Sequence, residues 1–230
     1  MLVDKTYFTG DIFIANLNEA CDNLGFYEWI ERWEEQCLRT TLGDCLYEDF
    51  ILQLLWDENL QKYVLKQDAE EKWDWLLNGH NYTRDEISTT SFTSFNWHNC
   101  KCGCNNDNCD SFKWDGLRVE INRRIKNTKV GGVVAQGVTI KKSYIAYYIY
   151  WLWSLKSDSV TTSLGEKVLN AKNAMNVSNI QDRIDAHNKF VSMVTGCDSS
   201  GNVGLYKYVR DFNNLYPTWG GKCLKHEPIW

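Results

Sequence analysis

No apolar run in this chain reaches the roughly 20 residues a helix needs to cross a bilayer. The nearest, Ser143 to Leu155, stops at Lys156-Ser-Asp158, so no membrane partner is expected. The opening Met1-Leu-Val-Asp-Lys-Thr-Tyr7 lacks the basic segment followed by an apolar one that marks a secretory leader. The expectation is a protein made and kept in a cytoplasm. Histidine is scarce, with only His80, His98, His187 and His226 to serve acid–base chemistry. Also missing are a GxxxxGK(S/T) phosphate loop, a GxGxxG turn after a strand, an HExxH helix and a GxSxG elbow. These absences set the expectation of a non-enzyme without catalytic residues. Positive charge is in deficit: 25 Lys and Arg against 30 Asp and Glu give a net charge of -5. That is the wrong sign for a protein whose main work is gripping phosphates. No internal repeat is visible.

What is abundant is aromatic: 11 Trp, 12 Tyr and 9 Phe in 230 residues, a load that suits interfaces as well as cores. With 43% hydrophobic residues the chain can fill one large domain, or a domain with an insertion. Its centre is Ser143-Tyr-Ile-Ala-Tyr-Tyr-Ile-Tyr-Trp-Leu-Trp-Ser-Leu155, apolar on every face and free of Gly and Pro, which predicts a helix inside the core. Tyr144, Tyr147, Tyr148 and Tyr150 need hydroxyl partners when buried, which places some of them at a rim or a subunit contact.

Around that helix the pattern predicts a mainly α fold, a helical bundle with one β-hairpin and an extended N-terminal arm (residues 1–19), in a single domain of residues 1–230. The arm, Tyr7 to Leu17, shows strand-like alternation after Gly10-Asp11. Phe26, Trp29, Ile30, Trp33 and Cys37 then repeat at helical spacing, and Leu42-Gly43 supplies a stop. Asp44 is expected to cap a second helix bearing Leu46, Tyr47, Phe50, Ile51, Leu54 and Leu55, closing an αα-hairpin. A short helix near Asp68 to Leu77 turns Trp73, Leu76 and Leu77 inward and ends at Asn78-Gly79. Residues 80–112 read as a polar, cysteine-rich loop insertion. Leu117 to Ile125 and Val130 to Ile140 alternate as a β-hairpin. After the aromatic helix, Ser178 and Gln181 fit a capping box opening a helix with Ile180, Ile184, His187, Val191 and Val194 on one stripe. Leu205, Tyr208, Val209 and Phe212 mark a final helix, stopped before Pro217.

Chemistry, if any, gathers in His98-Asn-Cys100-Lys-Cys102-Gly-Cys104-Asn-Asn-Asp-Asn-Cys109. Cys100, Cys102, Cys104 and Cys109 can in principle close a tetrahedral zinc site from one loop. The C-x-C-x-C-x4-C spacing, however, lacks the two separated knuckles of a structural zinc site. Reduced thiols on a polar loop, with no cofactor at all, are the competing reading, and oxidation to disulfides is a third. Nine cysteines, an odd number, without a leader argue against a disulfide framework. Asp182, Asp185 and His187 form the nearest approach to a polar constellation, but acids in a first helical turn are expected from the dipole alone. Glu28, Glu31, Glu34 and Glu35 with Arg32 read as a solvated helix face, the alternative being the lining of an acidic channel.

A longer-range order is also present: Gly10-Asp-Ile-Phe-Ile14, Trp29-Ile-Glu-Arg-Trp33, Thr41-Leu-Gly-Asp-Cys-Leu-Tyr47-Glu-Asp-Phe50, Trp75-Leu-Leu-Asn-Gly79, Trp114-Asp-Gly-Leu117, Lys142-Ser-Tyr-Ile-Ala-Tyr-Tyr148 and His187-Asn-Lys-Phe-Val191. This succession resembles the head-tail connector (neck ring) proteins of tailed bacteriophages, nearest to those of crAss-like and related Bacteroidetes phages. It spans about Tyr7 to Pro217 and consists of packing and turn residues; the cysteine-rich insertion departs from it. The resemblance implies a structural virion protein, made in the host bacterial cytoplasm and placed in the neck. Its implied partners are itself, in a homo-oligomeric and by resemblance dodecameric ring, the portal protein, neighbouring neck or tail proteins, and duplex DNA that passes without specific binding. In that setting the arm would join subunits, and a chain lacking residues 1–17 would stay folded. Two alternatives come from other classes: a zinc-loop nucleic-acid-binding protein of the infected cell, and an enzyme whose pocket groups several of His80, His187 and Asp185 with perturbed pKa values.

Overall fold

The computed structural model describes residues 1–14, 24–60, 62–87, 110–127, 134–157, 159–162, 165–168, 179–196, 201–222 and 224. The Cys100 to Cys109 cluster, the expected cap Ser178 and the arm beyond Ile14 lie outside them. Helices predominate, as expected, within a fold that is mixed α/β. Among the described residues the strands form four small sheets.

Helix α1 (Leu24–Leu42) buries Ile30, Trp33, Cys37, Leu38 and Leu42, the stripe its spacing predicts. It stops at Gly43, whose φ of 82° is reached by glycine without a Cβ penalty. Helix α2 (Asp44–Ile51) follows after that single residue and buries Leu46, Tyr47 and Phe50. Gly43, not Asp44, holds the N-cap position; the Asp44 carboxylate instead meets Arg39 Nη1 at 3.2 Å.

The expected helical stripe does not continue through Leu54 and Leu55. The chain turns after Ile51, and β1 (Leu54–Asp57) pairs antiparallel with β2 (Lys62–Leu65). Asp57 Oδ1 accepts from the backbone amides of Asn59 and Leu60, an Asx turn that reverses the chain. Trp56 meets Tyr63 across the ribbon with ring centres 5.2 Å apart. Leu54 and Leu55 suit either period, and this cross-strand pair selects the strand.

Helix α3 (Glu71–Asn78) carries Trp73, Leu76 and Leu77 inward and ends at Gly79 (φ 100°), as the pattern predicts. The insertion has firmer ends than expected. Its first residues form β3 (His80–Thr83), paired antiparallel with β4 (Ser111–Trp114), which pairs in parallel with β9 (Asn202–Val203). The expected hairpin is present as β5 (Val119–Asn127) and β6 (Val134–Lys142). Another small ribbon pairs β7 (Ser159–Thr162) with β8 (Gly165–Val168).

The aromatic helix α4 (Tyr144–Ser157) packs against α1 and against α5 (Asn179–Thr195). Ser143 opens it: its Oγ accepts from the Ile145 amide and donates to the Leu117 carbonyl. Only the first half is enclosed, Tyr144 to Ile149 being buried; Tyr150, Trp151, Leu152 and Trp153 are half-buried and Leu155 is 47% exposed. Two of its tyrosines find partners within the chain, Tyr144 with the Thr41 hydroxyl at 3.2 Å and Tyr147 with Asp11 Oδ2 at 2.8 Å. The last helix, α6 (Leu205–Asp211), is buried along nearly its whole length.

The N-terminal arm is corrected for residues 1–14. Two 3-10 turns, Lys5–Tyr7 and Gly10–Ile12, fold the segment against its own domain, and Leu2, Val3, Tyr7, Phe8, Ile12 and Ile14 enter the core. Those apolar side chains are too costly to leave in water when a groove is available in the same chain.

Candidate functional site

Strands β3 and β4 flank the cysteine-rich insertion and hold its two ends together. Tyr82 faces Phe112 across the pair, the rings stacked at 5.3 Å, and Trp114 stacks on Tyr208 of α6 at 5.7 Å. Beneath this sheet lies a buried ion pair on one face of α6. Lys207 Nζ meets Asp211 Oδ2 at 2.7 Å, with both side chains less than a tenth exposed. The Tyr82 hydroxyl donates to the same oxygen at 2.8 Å. Lys207 Nζ also sits 4.4 Å from the centre of the Phe112 ring. A buried pair recovers its desolvation cost only when further hydrogen bonds complete it, and Tyr82 supplies one. Burial, and then the Asp211 charge, push the Tyr82 hydroxyl far above its ordinary pKa, so it remains a donor. The constellation ties β3 and β4 to α6 and offers the chemistry of a lock.

His80 begins β3, stacked on Trp75 at 4.1 Å with Tyr208 and Phe212 edge-on. Its Nε2 lies 3.8 Å from Glu86 Oε2, and burial lowers its pKa against the opposing pull of Glu86 and Glu71. Glu86 is itself engaged: its Oε1 accepts from the Thr83 amide and hydroxyl, both at 2.9 Å, a capping box on the 3-10 turn Arg84–Glu86. On the sheet, Asn81, Tyr82, Thr83, Ser111, Phe112 and Lys113 line an open hollow of about 230 Å³.

His187 lies elsewhere, its ring 4.6 Å from Trp151 and 6.1 Å from Phe190. Asp185 accepts from Gln181 Nε2 at 2.8 Å. His80 is thus set among α3, β3 and α6, and His187 among α4 and α5, so the structure sets His80 apart from the helix that carries His187 and Asp185. Among the described residues no group of three or more His, Cys, Asp or Glu could hold a metal ion. Cys37 is buried and Cys45 exposed.

Glu34 overturns its reading as part of a solvated face. It is 6% exposed, and its carboxylate accepts from the Leu2 amide at 2.8 Å and the Val3 amide at 3.0 Å. Burial raises its pKa, and these two hydrogen bonds oppose the shift. Glu34 is therefore the post to which the N-terminal segment is tied. Position 34 follows Ile30 by four residues and shares its helical face, which is the signal that marks it. For Lys207 and Asp211 the signal is a charged pair at i, i+4 on a short helix whose other residues, Arg210 apart, are apolar or aromatic.

Two of the blocks in the long-range succession, Trp75 to Gly79 and Trp114 to Leu117, meet in space. An added Cβ on Gly79 (φ 100°) would lie 2.6 Å from the Trp114 carbonyl oxygen, and one on Gly116 (φ 93°) would lie 2.6 Å from the Gly79 nitrogen. The turns Asn78-Gly79 and Asp115-Gly116 thus touch backbone to backbone. Leu117 N donates to Leu76 O at 3.1 Å and Trp114 Nε1 to the same oxygen at 3.2 Å. Thr41-Leu-Gly43 is likewise held by the C-terminal segment, with Trp219 Nε1 on Thr41 O at 2.9 Å and Gly220 N on Leu42 O at 3.1 Å.

The surface carries apolar groups that the core does not use. Leu52, Leu55 and Leu60 are 65%, 58% and 57% exposed around α2 and the β1–β2 ribbon, and Phe13 is 64% exposed near α4. No helix among the described residues is long and apolar enough to cross a membrane. In comparisons with known proteins, no family model, no curated protein and no solved structure matches this chain.

Proposed function

We propose that this chain is a structural virion protein that forms a ring in the neck of a tailed phage, joins the portal to the tail and lets DNA pass. The observation that carries the reading is the ordered succession from Gly10 to Val191, whose members Leu77, Gly79, Trp114, Gly116 and Leu117 form one contact. This supports treating the succession as the signature of a fold. The exposed leucines favour a partner on that surface, since scattered single apolar residues need no explanation but a local group does. Net negative charge suits a conduit that must not hold the phosphates it passes.

Imaging of particles from a phage encoding this chain tests the reading. The protein is expected in symmetric copies between head and tail. Its absence from purified virions, with head-tail joining intact without it, overturns the proposal.

A further inference from the structure

The pair beneath the β3–β4 sheet joins a primary amine to a carboxyl group, two functions that can condense. Lys207 and Asp211 stand four residues apart on α6, neighbours on one helical face, with side chains 8% and 6% exposed. Lys207 Nζ lies 2.7 Å from Asp211 Oδ2. Three further groups bear on the pair. The Tyr82 hydroxyl donates to Oδ2 at 2.8 Å, Arg210 places its Nε 3.8 Å from Oδ1, and the Phe112 ring lies 4.4 Å from Nζ. The two carboxyl oxygens are thereby made unequal: Oδ2 collects hydrogen-bond donors and Oδ1 faces a fixed cation. Lys113 and Asp115 provide the contrast, an ion pair of the same 2.7 Å length whose side chains are 53% and 43% exposed and therefore hydrated.

We propose that Lys207 and Asp211 condense within the folded chain to an amide, an internal cross-link that needs no enzyme, metal or oxidant. One proton passes from Nζ to Oδ2 along their contact, which leaves an amine and a carboxylic acid. The amine lone pair forms the Nζ–Cγ bond while the Cγ–Oδ1 π pair moves onto Oδ1, where Arg210 opposes the negative charge. That pair then returns, the Cγ–Oδ2 bond breaks with its electrons on Oδ2, and Oδ2 takes a second proton from Nζ and leaves as water. Tyr82 supports the charge that gathers on the departing oxygen. Groups held in such contact react as if at about 10⁵–10⁸ M in well-oriented cases, and enclosure keeps out the water that reverses the step. The product replaces two buried charges by one neutral amide and staples the last turn of α6, against which Tyr82 holds β3.

Mass spectrometry of the full chain, purified folded and then denatured, reads the outcome. The wild-type mass is expected to fall below that of the sequence by one water. Trypsin should no longer cut after Lys207, and the segments on either side of Arg210 should stay joined in one species through the bridge. A succinimide at Asp115-Gly116 loses the same water but leaves the cut at Lys207 intact, so the digest tells the two apart, and the hydrated Lys113–Asp115 pair should remain unlinked. Lys207→Arg should keep the full sequence mass. Tyr82→Phe should lose its water about 10²–10³-fold more slowly than wild type, followed in samples taken after cell-free synthesis. Folded wild type that keeps the full mass and a free Lys207 after days at neutral pH overturns the proposal, as does a Lys207→Arg chain that loses water from Asp211 all the same. A Tyr82→Phe chain as fast as wild type overturns the part assigned to Tyr82. The wild-type digest decides the matter even where a variant fails to fold.

Discussion

At the scale of single residues, two buried charges hold segments that have little regular structure of their own. Asp211 accepts from both Lys207 and Tyr82, so Asp211→Ala leaves an ammonium and a phenol buried without their acceptor. Breaking one side of such a pair typically costs about 3–5 kcal/mol. Urea denaturation of the variant should show a loss of that order, and Lys207→Met combined with Asp211→Leu should recover most of it. Glu34 acts with the opposite pH sense from an exposed ion pair. Its folded pKa is raised by burial, so its contribution to stability is complete below the unfolded carboxylate value of about 4.3 and is lost as pH rises through the folded value. Glu34→Gln removes that titration. The stability difference, wild type minus Glu34→Gln, should therefore shift in favour of wild type as pH falls from 7 toward 5, measured by urea melts at each pH. A difference independent of pH would show that the carboxylate does not titrate on folding.

At the scale of elements, the junction of α3 with the β4–β5 turn rests on two glycines in contact. Gly79→Ala and Gly116→Ala each incur the left-handed penalty of about 1–2 kcal/mol and drive a methyl group into backbone that cannot yield, an overpacking cost of about 1–3 kcal/mol. Gly10 provides the control: its φ is 67° but nothing lies within 4 Å of an added Cβ, so Gly10→Ala should show the conformational penalty alone. Thermal melts should rank Gly10→Ala well above the other two, and the double variant at 79 and 116 should fall short of additivity because the sites touch. The N-terminal segment is also an element of the core. With six of its apolar side chains buried, a chain lacking residues 1–14 should lose most of its stability by urea denaturation, contrary to the expectation of a detachable arm. A truncated chain as stable as the full one would return the segment to the status of an arm.

At the scale of the whole molecule, α4 is built for two environments. Its first half is enclosed by α1 and α5 and its second half is left half open, although the apolar sequence is continuous through both. On the ring reading proposed above, a phage carrying Leu155→Lys in this chain should yield filled heads without stable tails, seen by negative-stain imaging, while the purified variant melts within a degree or two of wild type. Normal tailed particles would show that the open half of α4 takes no part in head-tail joining.

The helices whose apolar stripes run unbroken, α1, α3, α5 and α6, were legible in the sequence, as were the β5–β6 hairpin and the stops at Gly43 and Gly79, because period and turn chemistry are local. The aromatic helix was legible as an element but not in its burial, since eleven apolar positions do not say where the packing partners end. Leu54 and Leu55 fit a helical stripe as well as a strand, and only the pairing of Trp56 with Tyr63 across the ribbon decided between them. The strands β3, β4 and β9 are short and polar at alternate positions, and their sheet joins segments about 30 and 90 residues apart, contacts that no local pattern encodes. Burial of Glu34, Lys207 and Asp211 was likewise a tertiary decision: a carboxylate on a helix is solvated or enclosed according to what packs over it, and here residues 1–14 and strands β3 and β4 do the covering. The sequence determined which segments had to leave water, and the tertiary structure decided which of them met inside the domain and which remained on its surface.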